Sequence, residues 1–336
     1  RQAGLRERQL ESLALKYLLN CGAASGRAMA KQVAIPFGLL SGLLAQMKLE
    51  MLVGVRSEAP VNDFIYELTR AGAERARSYA QQSTYFGAAP VPLEAYITSV
   101  EAQSVSNQCP TVETVAKAFD DLVLDEDMLY QIGEGINLAR GFFIYGNPGN
   151  GKTSIAERVT RCYSKAIWIP RAISAGGEII RLFDSTVHEE LSLSDLPQGS
   201  AIEFDERWVR IRRPTISVGG ELTLDRLEVT TNPVTGISEA PIQLKSNCGT
   251  LIVDDFGRHA FSPADLLNRL IVPLERRIDS LNLPSGRSFR VPFDPVIVFA
   301  TNLRPADLVD EAFLRRVSYT VNVPDPSEEQ FRQLLA

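Results

Sequence analysis

Gly146-Asn147-Pro148-Gly149-Asn150-Gly151-Lys152-Thr153 lies between an apolar run, Gly141 to Tyr145, and a stretch with helical spacing, Lys152 to Cys162. A strand that feeds a glycine-rich turn and then a helix is the context in which G-x-x-x-x-G-K-[ST] wraps phosphate groups. The glycines let backbone N–H groups close around an anion at a helix N-terminus, where the dipole favours negative charge. Lys152 is positioned to reach the outer phosphates, the Thr153 hydroxyl to ligate magnesium, and Ser154 completes the binding stretch. The expected ligand is ATP with Mg2+.

A second run, Leu251-Ile252-Val253-Asp254-Asp255, is an apolar strand ending in two carboxylates. Parallel sheets present ligand-binding groups beyond the C-terminal ends of their strands. Asp254 is therefore expected to hold the magnesium through its water shell, and Asp255 to act as the base that polarises the attacking water. From Thr111 onward apolar strand-like runs alternate with helical spacing, which predicts an α/β fold with a parallel sheet covered by helices on both faces.

Taken in order, these motifs resemble the AAA+ family over Thr111 to Val323, with Walker A at Gly146 to Thr153 and Walker B at Leu251 to Asp255. Val296-Ile297-Val298-Phe299-Ala300-Thr301-Asn302 is similar to the family's sensor 1 strand, which implies that Asn302 helps orient the lytic water. Asp310-Glu311-Ala312-Phe313-Leu314-Arg315-Arg316 is similar to the segment that supplies an arginine finger to a neighbouring subunit's ATP, and either Arg315 or Arg316 fits that role. Read without the family, two cations at a helix C-terminus complement its dipole. The resemblance also implies apolar contacts to adenine from Phe119-Asp120-Asp121-Leu122-Val123, although core packing accounts equally for Leu122 and Val123. Where the family has Glu this chain has Asp255, one methylene shorter, so slow hydrolysis is expected. The resemblance implies an ATP-hydrolysing ring oligomer, a hexamer, that remodels a protein partner.

Residues 1–85 read as a separate module. Helical spacing covers Leu5 to Leu19, Gly26 to Val33 and Pro36 to about Glu50, followed by strands Met51 to Arg56 and Asp63 to Thr69 and a helix Arg70 to Gln82. This order resembles winged-helix domains, including the exit Tyr66-Glu67-Leu68-Thr69 into Arg70-Ala71-Gly72. The third helix carries one cation, Lys48, where a DNA reader needs several, so docking to a protein surface is the expected use. The alternative is a nucleotide-gated DNA-binding regulator, supported by eleven Lys and Arg against seven Asp and Glu in residues 1–85 of a chain with net charge −6.

Residues 86–110 are rich in Pro, Ala and Ser and read as a linker with a short helix at Leu93 to Val105, leaving the flanking domains free to move. The ATPase domain is expected over 111–326, with residues 327–336 beginning a lid that stops short, as in a piece of a longer protein. After a predicted helix Gly177 to Phe183, residues 192–248 read as an inserted β-hairpin region containing Trp208-Val209-Arg210-Ile211-Arg212 and a Gly219-Gly220 turn. The resemblance suggests that this insertion engages a substrate or partner, and Arg207, Arg210, Arg212 and Arg213 offer cations for an acidic polymer.

A composition of 45% hydrophobic and 23% charged residues is that of a globular chain with substantial cores. No apolar run reaches membrane-spanning length and no secretory leader opens the chain, so no membrane insertion and a cytoplasmic location are expected. Cys21, Cys109, Cys162 and Cys248 lack paired spacing, and His188 and His259 are the only histidines, which argues against a zinc site or a disulfide framework.

Overall fold

Leu13, Ala14, Leu15 and Leu18 are fully buried on one side of α1 (Glu7–Cys21), which anchors the N-terminal module. The structure is a computed structural model and describes residues 7–138, 141–192, 204–309, 317 and 319–335. After α1 come β1 (Ala23–Ser25), α2 (Gly26–Gln32), α3 (Phe37–Leu49), β2 (Val53–Ala59), β3 (Asp63–Leu68) and α4 (Arg70–Gln82). The three strands form an antiparallel sheet in the order β1-β3-β2. The sequence predicts only two of them, because β1 is three residues long and has no pattern to read. Its last residue caps α2, with Ser25 Oγ accepting the Ala28 N–H at 3.1 Å. The buried carboxylate of Asp63 accepts the N–H groups of Gly26 and Arg27, which ties β3 to the same helix end.

Next in the chain are β4 (Val91–Pro92), α5 (Leu93–Gln103), α6 (Val112–Ala118), α7 (Glu126–Leu138), β5 (Gly141–Gly146), α8 (Lys152–Arg158), β6 (Ala166–Pro170), β7 (Ala172–Ala175) and β8 (Glu178–Arg181). They are followed by β9 (Trp208–Arg212), β10 (Thr215–Val218), β11 (Thr230–Thr231), β12 (Ser238–Glu239), α9 (Ile242–Lys245), β13 (Thr250–Val253) and α10 (Pro263–Arg276). The last elements are β14 (Ile278–Asn282), β15 (Ser288–Pro292), β16 (Val296–Thr301), α11 (Pro305–Leu308), β17 (Tyr319–Val323) and α12 (Glu328–Leu335).

A five-stranded sheet in the order β10-β13-β16-β5-β17 is parallel throughout. Its side chains alternate between two cores. Phe142, Ile144, Ile252, Val296 and Val298 pack with buried residues of α6, α7 and α8 on one face. Phe143, Leu251, Val253, Ile297 and Phe299 pack with Leu266, Leu267, Leu270 and Leu274 of α10 on the other. Burial of each such side chain contributes about 1.5–3 kcal/mol, so the sheet is anchored from both sides. Among the described residues no single helix is long and apolar enough to cross a membrane.

A second body lies between the module and this sheet. Strands in the order β11-β12-β8-β7-β4 form a mixed sheet, while β6 pairs with β9 and β14 with β15. Here several expectations change. The predicted helix Gly177 to Phe183 is instead strand β8, because Gly176 and Gly177 (φ 58° and 92°) make a tight hairpin turn from β7. Residues 208–212 and 215–218 do not pair with each other: β9 runs back to β6, and β10 is the edge strand of the parallel sheet. The segment expected to be a free linker is docked. Its β4 pairs with β7, α5 contributes buried Tyr96 and Val100 to the second body's core, and Ala89 N–H donates to Val33 O at 2.7 Å. The helix expected from Lys152 to Cys162 is α-helical only to Arg158 and finishes as a 3-10 turn over Val159–Cys162.

Candidate functional site

β5 delivers the chain to Gly146, where the backbone turns with φ 155°. A Cβ at this position would meet Val323 O at 2.2 Å, so only glycine lets β17 pair along the whole of β5. Gly151 (φ 78°) then starts α8 from a left-handed conformation. Lys152 is the first residue of the helix and is only 8% exposed. Its ammonium donates to Gly146 O at 3.0 Å and Asn147 O at 2.7 Å, which holds it across the mouth of the loop. Burial lowers its pKa below the ordinary lysine value, while the charges of Asp254 and Asp255 act in the opposite direction.

Thr153 Oγ1 donates to Asp254 Oδ2 at 2.8 Å, and Asp254 Oδ1 accepts the Asp255 N–H at 2.8 Å. Two stretches a hundred and one residues apart thus meet at one point beyond the C-terminal edge of the sheet. Asp255 is exposed, with φ 48°, a left-handed conformation that aspartate tolerates better than most residues. Asn302 directly follows β16, whose last residue Thr301 is in register with Tyr145 of β5. Thr301 Oγ1 donates to Phe256 O at 2.8 Å and pins this strand end to the turn after Asp255. Asn302, the glycine-rich loop and the aspartate pair therefore share one edge.

Magnesium takes one or two carboxylates together with phosphate oxygens and water, not a cage of protein groups. Thr153 and Asp254 supply such a donor pair, and among the described residues no cluster of three or more His, Cys, Asp or Glu offers a different kind of metal site. All four cysteines are free thiols. Arg315 and Arg316 lie outside the described residues.

Phe119 is 1% exposed and packs in the core under the sheet. Asp121 in the same stretch pairs with Arg158 at 2.9 Å and Arg161 at 3.1 Å, and hydrogen bonding to Arg158 is the main cause of a pKa held down to about 2. The four arginines proposed for an acidic polymer are largely engaged within the chain. Arg207 binds Asp205, Arg212 pairs with Glu189, Arg210 donates to Ser192 O, and the buried Arg213 donates to Ser164 O, Gln103 O and Cys248 O.

One residue of the site escapes the motifs. The carboxylate of Asp325, just beyond β17, accepts hydrogen bonds from the side chains of Asn147 and Asn150 within the loop. Nothing in its local sequence beyond the flanking Pro324 and Pro326 marks it out.

The five-stranded parallel sheet, with the glycine-rich loop after β5 and the aspartate pair after β13, is the α/β arrangement expected from the sequence. No family model and no curated protein matches the chain. Among solved structures it is similar to NtrX from Brucella abortus, at 16% identity over 60% of this chain and 37% of that one, with a TM-score of 0.36. A structure of NtrX in complex with ATP matches at 16% identity over 60% and 38% of the two chains, with a TM-score of 0.34. A complex between subunits BchI and BchD of magnesium chelatase matches at 19% identity over 65% of this chain and 64% of that one, with a TM-score of 0.41. The chain spans less than two thirds of each of these proteins.

Proposed function

We propose that the chain is a Mg-dependent ATPase that works as an AAA+ ring oligomer and remodels a protein partner, with the N-terminal winged-helix-like module as its docking element. The observation that carries the nucleotide reading is the meeting of Lys152, Thr153 and Asp254 at one sheet edge, with the Thr153–Asp254 bond at 2.8 Å. In this reading the ammonium of Lys152 leaves the Gly146 and Asn147 carbonyls for the outer phosphates, and the loop's N–H groups orient the polyanion. Thr153 and Asp254 would hold magnesium, which when bound neutralises phosphate charge. Asp255 takes a proton from the attacking water while Asn302 orients that water. The reach lost by an aspartate in the base position favours slow turnover.

Docking to protein is favoured over DNA by the outer side of α3 and its surroundings. Leu39, Leu49 and Met51 are 44%, 85% and 72% exposed, and Lys48 is the only cation on the helix. A phosphate-reading helix needs several cations, so a nucleotide-gated DNA-binding regulator is the weaker reading.

The test is ATP turnover against protein concentration for the wild type and for Lys152→Ala, Arg315→Ala and Arg316→Ala. Cooperative dependence on concentration, with an arginine variant that binds ATP but does not turn it over, supports a shared site between subunits. ATP binding without turnover at any concentration sinks the hydrolytic reading, and turnover per chain independent of concentration sinks the ring.

A further inference from the structure

Asp325 joins the phosphate loop from outside the motif. Its carboxylate accepts Asn147 Nδ2 at 2.9 and 3.0 Å on its two oxygens, and Asn150 Nδ2 at 3.0 Å. Asn150 Nδ2 also donates to Val323 O at 3.1 Å. The chemistry of G-x-x-x-x-G-K-[ST] uses the backbone, the lysine and the final hydroxyl, so the side chains at the intervening positions are free for other work. Here two of them converge on one acceptor, on either side of Gly149 (φ 87°).

A negative charge on the shoulder of a seat for a polyanion is unfavourable by itself, since like charges repel. Hydrogen bonds from Asn150 and Asn147 hold the carboxylate in its charged form, with its pKa below the ordinary aspartate value. The chain around it is stiff as well. Pro324 and Pro326 flank the residue, each with φ restrained by its ring, and Pro326 also restricts the backbone of Asp325. The carboxylate is thus delivered to the loop at little further entropic cost, from the end of a strand that already pairs with β5 up to Gly146.

We propose that Asp325 is a positioning residue that holds the phosphate loop in its anion-accepting curve through Asn147 and Asn150. The proposal rests on the reading of this loop as a nucleotide site. Asp325 acts through the two asparagines and touches no reacting atom, so it sets nucleotide affinity and leaves the later chemical step alone. Its loss should weaken MgADP binding and raise KM for MgATP roughly threefold to tenfold, the scale of one to two net hydrogen bonds, with kcat unchanged.

The experiment compares wild type, Asp325→Ala, Asp325→Asn and Asn147→Ala/Asn150→Ala in the full chain. It measures MgADP affinity by calorimetry, the KM and kcat split for MgATP, and amide hydrogen exchange over residues 147–151 without nucleotide. Asp325 is exposed, so folding should survive the change. The expected result is faster loop exchange and weaker MgADP binding in Asp325→Ala, an intermediate effect in Asp325→Asn, and no added loss when Asp325→Ala is combined with the asparagine pair. Unchanged exchange and affinity overturn the proposal, as does tighter binding in both Asp325 variants, which would reduce the carboxylate to a repulsive charge. If the wild type takes up no MgADP, the nucleotide reading falls, and the exchange comparison alone then decides whether Asp325 positions the loop.

Discussion

The edge of the parallel sheet and the interior of the β-rich body use the same residue types in opposite ways. At the edge, Lys152, Asp254, Asp255 and Asn302 stand where the strands run out, with few bonds to the rest of the fold. In the body, Arg213 is 3% exposed and donates to the carbonyls of Ser164, Gln103 and Cys248. Asn247 is likewise buried, donating to Tyr96 Oη and Pro292 O at 2.9 Å and accepting the Asp294 N–H at 2.8 Å. A polar group that closes the backbone's hydrogen-bond accounts is structural, whereas one left at a strand end with spare valence is available for a ligand.

The largest effect expected from this contrast is on turnover. Lys152→Ala should reduce ATP hydrolysis by about a hundredfold or more while leaving the urea midpoint nearly unchanged, because the two carbonyls it releases lie beside solvent. Equal losses of turnover and stability would erase the distinction between edge and interior. Arg213→Ala should do the reverse, lowering stability by about 3 kcal/mol because several buried carbonyls lose their donor together. Turnover per folded molecule should stay at the wild-type level. Asn247→Ala should follow at about 2 kcal/mol, since it strands the Tyr96 hydroxyl and the Asp294 N–H. A variant of either residue that stays fully stable and loses turnover would move the body into the active machinery.

The two regions also differ in how much of them could be read from the chain. The sheet was legible because its signals are local: a glycine loop with Lys152 and Thr153, an apolar strand closed by Asp254 and Asp255, and alternation such as Phe142 and Phe143 on opposite faces. The body was not, because its strands are short and pair across long stretches of chain. Two residues of β4 carry no periodicity, and Glu178–Arg181 passes for helix unless Gly176 and Gly177 are read together as a turn. β10 alternates like a hairpin partner of β9, yet Pro214 O accepts the Thr250 N–H at 2.9 Å and steers it onto β13. Asp325 was invisible for a related reason: its partners are 175 and 178 residues away, and no motif links an exposed aspartate to two asparagines of a loop.

The smallest predicted effect concerns pH and again separates stability from turnover. His188 is buried, with Nδ1 accepting the Asp184 N–H at 3.1 Å and Nε2 opposite Lys245 O at 2.8 Å. That arrangement requires the neutral ring with its proton on Nε2, and burial pushes the pKa below the ordinary 6.5, with the nearby Lys245 charge adding to the shift. The unfolded chain therefore takes up the proton first as pH falls. The contribution of His188 to stability is complete above about 6.5 and declines as pH drops through that value toward the lower folded pKa. Asp184 is also held below its ordinary value: burial raises it, but hydrogen bonds from Lys245 and Thr186 outweigh burial. Its contribution persists above the unfolded carboxylate pKa and is lost only in stronger acid, so it cannot produce a decline between pH 7.5 and 5.5. Urea midpoints over that interval should fall in the wild type by less than Asn247→Ala costs, and the fall should be shallower in His188→Gln. An unaltered slope in the variant would assign the pH dependence to groups other than His188.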